Sequence, residues 1–222
     1  MGNGLVWTWV HLDKENKPKA VGISFTETAL TGLPTEKPDN GMDGYEFTLS
    51  LPKEASVLPF DHVAVDWNPK GHIPPGIYDV PHFDFHFYMC STNVRKKIVL
   101  DSQDMKRCQK QPPAECLPEG YIYAPQSEIK YMGAHWVDLS SPEFNGKPFT
   151  HTFIYGSYDG KVVFMEPMVT LSYLLTKPSV SAPIKQPRKV QKQGFYYPSS
   201  YSVTYDEVRK EYTIALGDFV KR

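Results

Sequence analysis

The stretch of the chain that says most about its fold is Pro81-His82-Phe83-Asp84-Phe85-His86-Phe87-Tyr88. Polar and apolar residues alternate strictly in it, and successive side chains of a β-strand point to opposite faces. One face therefore carries the three phenylalanines, and the other carries His82, Asp84, His86 and Tyr88. An exposed face would more often show Lys, Glu, Thr or Ser, so the polar side is predicted to face an enclosed cavity. The phenylalanines are predicted to be buried against a second layer or a partner subunit.

The rest of the chain also favours short strands over long helices. Twenty prolines and fifteen glycines in 222 residues demand frequent turns. Residue patterns predict a helical turn at 26–30 and strands at 5–12, 20–25, 45–51, 63–67, 81–89, 128–137, 150–158, 161–170, 201–205 and 211–216. The predicted fold class is all-β, a single-domain β-sandwich or β-barrel with short connecting helical turns. That domain covers residues 1–222, with a surface loop at 177–193 and a C-terminal hairpin at 195–222.

Charge and hydropathy exclude several classes of partner. The formal net charge is −1, with no basic stripe that would neutralise a phosphate backbone, so no nucleic-acid partner is expected. No segment approaches the roughly 20 apolar residues of a membrane span. The first residues lack the charged and apolar regions of a secretory signal, which leaves a cytoplasmic protein or an exported one whose signal is not part of this chain.

The polar face of residues 81–88 predicts a metal site. Imidazole and carboxylate are the usual ligands of Zn, Fe, Mn and Cu, so a divalent transition metal is the expected cofactor. A straight strand rises about 3.3 Å per residue, which places His82 and His86 roughly 13 Å apart, too far to share one ion. The ligand pair on this strand is therefore His82 with Asp84, or Asp84 with His86, unless a bulge brings the histidines together.

Further ligands are expected from two other strands. His135 and Glu166 stand in otherwise apolar segments, where an unpartnered polar group is costly to bury. We therefore predict that His86, His135 and Glu166 meet, with His82, His86, His135 and Glu166 as metal ligands.

The catalytic residues are expected beside these ligands. A two-residue turn at Asp159-Gly160 would place Phe153 opposite Glu166 and bring His151 to the same face. Asp84, Tyr88 and His151 are the predicted catalytic residues. A buried hydrogen-bond network without any metal is the alternative explanation for the whole cluster.

The remaining candidates carry less information. Cys108 and Cys116 flank a short loop, and both a local disulfide and two free thiols are open alternatives. His11, His62 and His72 lie in predicted turns or at strand edges and are not expected to be ligands. The sequence contains no phosphate-binding glycine loop, no serine-hydrolase elbow and no paired Cys-x-x-Cys.

Four segments resemble an uncharacterised bacterial family, a domain of unknown function. They are residues 81–88, Gly133-Ala134-His135-Trp136-Val137-Asp138, Phe153-Ile154-Tyr155-Gly156 and Glu166-Pro167-Met168-Val169-Thr170. The resemblance extends from about Trp7 to the final hairpin and implies a β-rich, often exported protein that self-associates, which favours an extracytoplasmic location and a homo-oligomer. The His and Glu set is also loosely similar to that of cupins, which are metal-binding β-barrels. A cupin has two histidines at i and i+2 on one strand, whereas in this chain Asp84 stands between the two histidines His82 and His86.

Two functions are consistent with these patterns. The first is a metal-dependent enzyme, an oxidoreductase or hydrolase of a small molecule. The second is a non-catalytic protein that binds a small ligand or self-assembles. Metal content distinguishes them.

Overall fold

The strands pair into antiparallel sheets in the computed structural model, which describes residues 1–222. The larger sheet has seven strands, in the spatial order β3 (Tyr45–Ser50), β4 (His62–Asn68), β5 (His82–Tyr88), β9 (Lys161–Thr170), β8 (His151–Tyr158), β7 (Ala134–Asp138) and β6 (Tyr121–Tyr123). The smaller sheet has five, in the order β1 (Val6–Leu12), β2 (Pro18–Thr26), β13 (Glu211–Gly217), β12 (Ser200–Asp206) and β10 (Ser179–Pro183). A two-stranded ribbon joins β11 (Tyr196–Tyr197) to β14 (Val220–Lys221).

The helices are short connectors between strands. The α-helices are α1 (Thr92–Arg95), α2 (Ser102–Cys108) and α3 (Leu171–Leu174), and 3₁₀ turns occupy Glu27–Leu30, Lys53–Val57, Ala114–Cys116 and Pro142–Asn145. The Asp101 carboxylate caps α2 by accepting hydrogen bonds from the backbone N–H groups of Gln103 and Asp104. None of these helices is long and apolar enough to span a membrane.

The phenylalanine face of β5 lies between the two sheets. Phe83, Phe85 and Phe87 have no exposed surface, and the ring of Phe25 on β2 stacks on Phe83 and Phe85 with centroids 6.4 and 6.1 Å apart. The predicted burial of β5 against a second layer is therefore confirmed. Both sheets have free edges, so the all-β fold is the sandwich and not the closed barrel.

The opposite face of β5 is also closed to solvent, although no third sheet covers it. His82 and His86 are fully buried. Two apolar clusters flank this polar layer, one containing Tyr88, Ile98 and Phe164 and the other containing Tyr78, Ile154 and Met168. Residues 69–81, 90–110 and 124–133 supply part of this cover, so connecting segments do the work of a layer.

The hairpin of β8 and β9 departs from the predicted register. Asp159 and Gly160 both have positive φ, as a type I′ turn requires, and Tyr158 pairs with Lys161 as predicted. A bulge follows, because Ser157 pairs with Val162 but Gly156 pairs with Phe164. A Cβ on residue 156 would lie 1.9 Å from the Phe164 ring, so only glycine admits this ring position. Glu166 consequently pairs with Ile154, and the prediction that it pairs with Phe153 is wrong.

Three other predictions of local structure need correction or completion. Where a strand was predicted at 128–137, the observed strand is Ala134–Asp138, because Tyr131 and Gly133 adopt positive φ and turn the chain before it. Within the predicted surface loop 177–193, Ser179–Pro183 pairs with β12 as an edge strand, where proline is tolerated. Cys90, Cys108 and Cys116 are all free thiols in this structure.

Candidate metal centres

The outer face of the larger sheet carries a row of polar side chains across neighbouring strands. Asp66 of β4 pairs with Asp84 of β5. On the other side of β5, Asp84 pairs with Met168 and Phe87 with Met165, so the same register places His86 opposite Glu166 of β9. Side chains of paired residues share one face of the sheet, which brings these groups together.

Two of them, His86 and Glu166, form the first candidate centre together with His135 of β7, and this cluster is called the His135 centre. Their ligand atoms all lie within 4.8 Å of one another. Glu166 Oε2 is 3.4 Å from His86 Nε2 and 3.9 Å from His135 Nε2. The predicted meeting of these three residues is therefore found.

Local hydrogen bonds orient His135. Gly133 has a φ of +104°, and a Cβ there would lie 2.4 Å from the Ser157 carbonyl oxygen, so glycine allows the chain to enter β7 at this point. The His135 backbone N–H donates to Ser127 Oγ at 3.0 Å. Its ring Nδ1 lies 2.7 Å from the Ser127 carbonyl oxygen, which can only accept, so Nδ1 carries the hydrogen. The Nε2 lone pair of neutral His135 is therefore directed at Glu166.

Several buried polar atoms in and beside the His135 centre lack hydrogen-bond partners. This is true of His86 Nε2, His86 Nδ1 and Glu166 Oε2, and of Asp66 Oδ2 beside them. His86 Nδ1 and Asp66 Oδ2 are 3.0 Å apart, but not in the alignment of a hydrogen bond. Buried polar groups are satisfied in the great majority of native sites, so four such atoms in one place mark this cluster as a candidate ligand site.

A second cluster, called the His72 centre, contains His72, His82 and Asp84. The two histidine Nε2 atoms are 3.0 Å apart. Asp84 places Oδ1 3.1 Å from His82 Nε2 and Oδ2 3.3 Å from His72 Nε2. Asp84 Oδ1 has no hydrogen-bond partner, whereas Oδ2 accepts from Asn68 Nδ2 at 2.7 Å.

The loop between β4 and β5 brings His72 to this cluster. Gly71 has a φ of +65°, and a Cβ there would lie 2.1 Å from the Tyr78 carbonyl oxygen, so the loop closes on itself only with glycine. The His72 backbone N–H donates to that same carbonyl oxygen at 3.1 Å. The Tyr78 hydroxyl donates to Glu143 at 3.2 Å and fixes the far side of the loop. His72 is thereby folded back over the start of β5.

The carboxyl groups of the two centres differ in their electrostatics. Burial raises the pKa of Glu166 well above its usual value, and the nearby Asp84 and Asp66 carboxylates add to the effect. Burial also raises the pKa of Asp66 despite the opposing influence of His86. For Asp84, burial is outweighed by the charges of His82 and His72, so its pKa lies well below the usual value.

The pKa values of His135 and His72 are shifted by burial and by the same carboxylates. Burial lowers the pKa of His135 to about 4, so its imidazole is neutral at physiological pH and available as a ligand. Burial would lower the pKa of His72 too, but the charge of Asp84 and the hydrogen bonds to Asp84 and the Ile73 carbonyl raise it. All ion-pair partners of Asp66, Asp84 and Glu166 are histidines; neither lysine nor arginine pairs with them.

Both centres border one cavity of about 480 Å³. His72, Asp84 and His135 line it, together with Asp66 and Asn68. Its outer wall is partly apolar and is formed by side chains that include Ile73, Pro74, Ile77, Ile122, Val137, Leu139 and Phe144. This size suits a small organic molecule, and apolar side chains with a few converging polar groups are typical of ligand sites.

The structure divides the residues predicted from the sequence among four places: the two centres, the position of Tyr88 and that of His151. His86, His135 and Glu166 form one centre, and His82 and Asp84 belong to the other, in keeping with the predicted 13 Å limit along β5. Tyr88 is buried beside His86 under the Arg95 guanidinium, which lies 3.9 Å from its ring centroid, and it is not among the residues that line the cavity.

His151 lies away from the polar row. The bulge at Gly156 turns its side chain to the face between the sheets, where Nδ1 is 2.8 Å from the Tyr201 hydroxyl. The prediction that His151 lies on the same face as Glu166 is wrong. One extra residue in a strand moves every side chain beyond it to the opposite face of the sheet.

Sequence reasoning missed two contributors. His72 was excluded because a histidine in a Pro- and Gly-rich loop is usually exposed. Asp66 and Asn68, however, alternate with Val65 and Trp67 on β4, which is the same pattern that identified the polar face of β5. That pattern is a signal by which Asp66 could have been found.

Comparisons with known proteins give one similarity. Residues 13–67 match the family described as TTHB210-like, Hypothetical protein TTHB210. This segment covers about a quarter of the chain and ends at β4, before every motif that carried the resemblance described above. The match supports a relation to an uncharacterised domain family. It leaves the four motifs and the cupin likeness unconfirmed. No curated protein and no solved structure matches the chain.

Proposed function

We propose that the protein is a metal-dependent enzyme that acts on a small molecule held in the 480 Å³ cavity, with the metal bound by His86, His135 and Glu166. Two histidines and one carboxylate are the ligand set of catalytic zinc in several hydrolases and of non-haem iron in oxygenases. Such a set leaves coordination positions open for water or substrate. His135 borders the cavity, so those positions are accessible to a molecule bound there.

The observation that carries this proposal is the group of unpartnered atoms in the His135 centre. A buried donor or acceptor without a partner costs about 1–3 kcal/mol, and more when it is charged. A divalent cation bound to His86 Nε2, His135 Nε2 and Glu166 Oε2 would satisfy two of these atoms, His86 Nε2 and Glu166 Oε2, and would neutralise the carboxylate. A hydrogen-bond network without metal would instead be expected to pair these atoms with one another.

Asp66 has a supporting role in the proposed site. Metal-binding histidines usually direct their second ring nitrogen to a carboxylate or a carbonyl oxygen, which fixes the tautomer and the orientation of the ring. Asp66 Oδ2 stands 3.0 Å from His86 Nδ1, and the Ser127 carbonyl oxygen stands 2.7 Å from His135 Nδ1. His135 therefore has such a partner, and the Asp66 carboxylate stands within reach of His86 without being aligned as a hydrogen bond.

The identity of the metal decides the reaction class. Zinc held by these ligands would supply a water of lowered pKa, about 7, as the nucleophile for hydrolysis. Iron, manganese or copper would direct the same ligand set to oxidation or reduction. The alternative, a non-catalytic protein that binds a small ligand, is favoured by the apolar outer wall of the cavity.

Metal analysis of Glu166→Gln against Glu128→Gln tests the proposal. Both glutamates receive the same substitution, but Glu128 borders the cavity outside the two centres. We expect purified wild-type protein and Glu128→Gln to contain the same amount of metal, and Glu166→Gln to contain less by one ion per chain. Equal metal content in all three proteins would refute the proposed site.

Activity measurements separate the enzyme from the binding protein. Chromogenic esters and phosphates are suitable probes if zinc is found, and oxygen consumption with small phenols is suitable if iron or copper is found. We expect turnover that a chelator and Glu166→Gln both abolish and that His11→Ala, at an exposed position outside the cavity, retains. Metal-loaded protein that binds small molecules in the cavity but turns none of them over would support the alternative.

A further inference from the structure

We propose that the His72 centre binds a second divalent transition-metal ion, so that two ions border the same cavity and one of them ties the loop 69–80 to β5. This inference adds to the proposed function but does not depend on it, because it rests on the atoms of His72, His82 and Asp84 alone. Removing either ion should leave the ligands of the other in place.

Hydrogen bonds to backbone carbonyl groups locate the hydrogens of the two imidazoles. His72 Nδ1 lies 2.8 Å from the Ile73 carbonyl oxygen, and His82 Nδ1 lies 2.7 Å from the Val80 carbonyl oxygen. A carbonyl oxygen only accepts hydrogen bonds, so both Nδ1 atoms carry hydrogen. In neutral rings, both Nε2 atoms are then acceptors. The two Nε2 atoms are 3.0 Å apart, so two neutral rings would hold acceptor against acceptor.

Asp84 adds negative charge to this arrangement. Its two oxygens lie 3.1 and 3.3 Å from the Nε2 atoms of His82 and His72. Four acceptor atoms thus converge, and Asp84 Oδ1 has no hydrogen-bond partner although the residue is 97% buried. Such a group of acceptors is stable only around a cation, which is either a proton on one of the rings or a metal ion.

The distances match those between ligands of one metal ion. At metal–nitrogen bonds of 2.0–2.1 Å, neighbouring ligand atoms are about 3.3 Å apart in a tetrahedral site and about 2.9 Å apart in an octahedral one. The separations of 3.0, 3.1 and 3.3 Å in the His72 centre fall in this range. The Asn68 amide orients Asp84 by donating to Oδ2 at 2.7 Å, as outer hydrogen bonds do for metal-binding carboxylates.

The two centres are close but separate. Asp84 and His86 are two residues apart on β5, which corresponds to about 6.6 Å along a strand. Two-metal sites that share a bridging oxygen hold their ions about 3.5–4 Å apart. The two ions would therefore not share one hydroxide. Because His72, Asp84 and His135 all border the cavity, each ion would contact a different part of one bound molecule.

Metal stoichiometry of four proteins tests this inference. Wild-type protein, His72→Ala, His135→Ala and the control His11→Ala are stripped with a chelator, reloaded with Zn²⁺, passed through a desalting column and analysed for zinc. We expect two, one, one and two ions per chain, respectively. Circular dichroism establishes that each variant is folded.

The other outcomes distinguish the two proposals. Values of one, one, zero and one would overturn the His72 centre, leave the His135 centre standing and assign the short Nε2 contact to a shared proton. Values of one, zero, one and one would support the His72 centre and overturn the His135 centre. An absence of zinc from all four proteins would overturn both.

Hydrogen exchange of the loop provides a second measurement that does not depend on counting ions. If a metal links His72 to β5, the chelator should increase amide exchange in residues 69–80 of the wild-type protein at least tenfold. In His72→Ala, exchange in this loop should already be fast, and the chelator should not change it. Slow exchange that the chelator leaves unchanged in the wild-type protein would contradict the proposed link.

Discussion

Glu166→Gln is expected to stabilise the metal-free protein and to weaken the metal-loaded one. Glu166 is 1% exposed, and its Oε2 has no hydrogen-bond partner. Burial and two neighbouring carboxylates raise its pKa well above the usual value, which shows that the ionised side chain is disfavoured when no metal is bound. The glutamine amide has nearly the same shape and carries no charge. Its NH₂ group can donate to His86 Nε2, 3.4 Å from the present oxygen.

The size of the effect follows from the cost of the unpartnered group. Removing it should stabilise the metal-free protein by about 1–3 kcal/mol. A chain of this length shifts its melting temperature by roughly 2–4 °C per kcal/mol, so the expected rise is roughly 2–12 °C. With Zn²⁺ at 100 times its dissociation constant, a bound ion stabilises wild-type protein by about 2.7 kcal/mol. Glu166→Gln should lack that contribution from the His135 centre.

Thermal unfolding in chelator and in excess Zn²⁺ measures both effects. The melting temperature of Glu166→Gln should exceed that of wild-type protein in chelator, and zinc should raise it less than it raises the wild-type value. Glu128→Gln is the control and should respond to zinc as the wild-type protein does. The reasoning is refuted if Glu166→Gln melts below wild-type protein in chelator, because Glu166 would then be a satisfied member of a structural network.

Three further predictions concern the framework of the site. Phe85→Ala should lower the free energy of unfolding in urea by about 3–5 kcal/mol, because the residue is fully buried between the sheets; a loss below 1 kcal/mol would contradict this packing. Gly156→Ala should cost about 1–3 kcal/mol or more, because the new Cβ overlaps the Phe164 ring; unchanged stability would argue against the bulge. Burial would raise the pKa of Glu46, but the hydrogen bond and the charge of Arg95 outweigh burial and lower that pKa. The stability that this ion pair contributes is therefore present above about pH 4.5 and is lost as the pH falls through the lowered folded-state pKa. Glu46→Gln should therefore flatten the acid limb of the stability curve, and an identical limb in both proteins would show that the pair contributes nothing.

Self-association remains a prediction of the sequence resemblance. Light scattering at micromolar concentration tests it, and a monomeric mass would contradict it.

Much of the architecture could be predicted from the sequence because it depends on local periodicity. The alternation of residues 82–88 identified a buried strand with two different faces, and the Asp159-Gly160 turn identified the hairpin of β8 and β9. The cost of burying lone polar groups also predicted that His86, His135 and Glu166 would meet, although they lie on three strands. These inferences needed only the pleat of a strand and the solvation of polar atoms.

The division into two centres was decided by the tertiary structure. His72 reaches its cluster because a loop closes on itself at Gly71, and His151 leaves the polar face because the Phe164 ring over Gly156 shifts the register by one residue. Both events depend on contacts between segments that are distant along the chain or on a single bulge, and neither produces a periodic pattern. The sequence by itself determined which strand faces are polar and buried, since that follows from the period of two along each strand. Which polar side chains lie within contact distance of one another was decided only by tertiary packing. Loop closure and strand register set these distances, and the period of a strand does not reveal either of them.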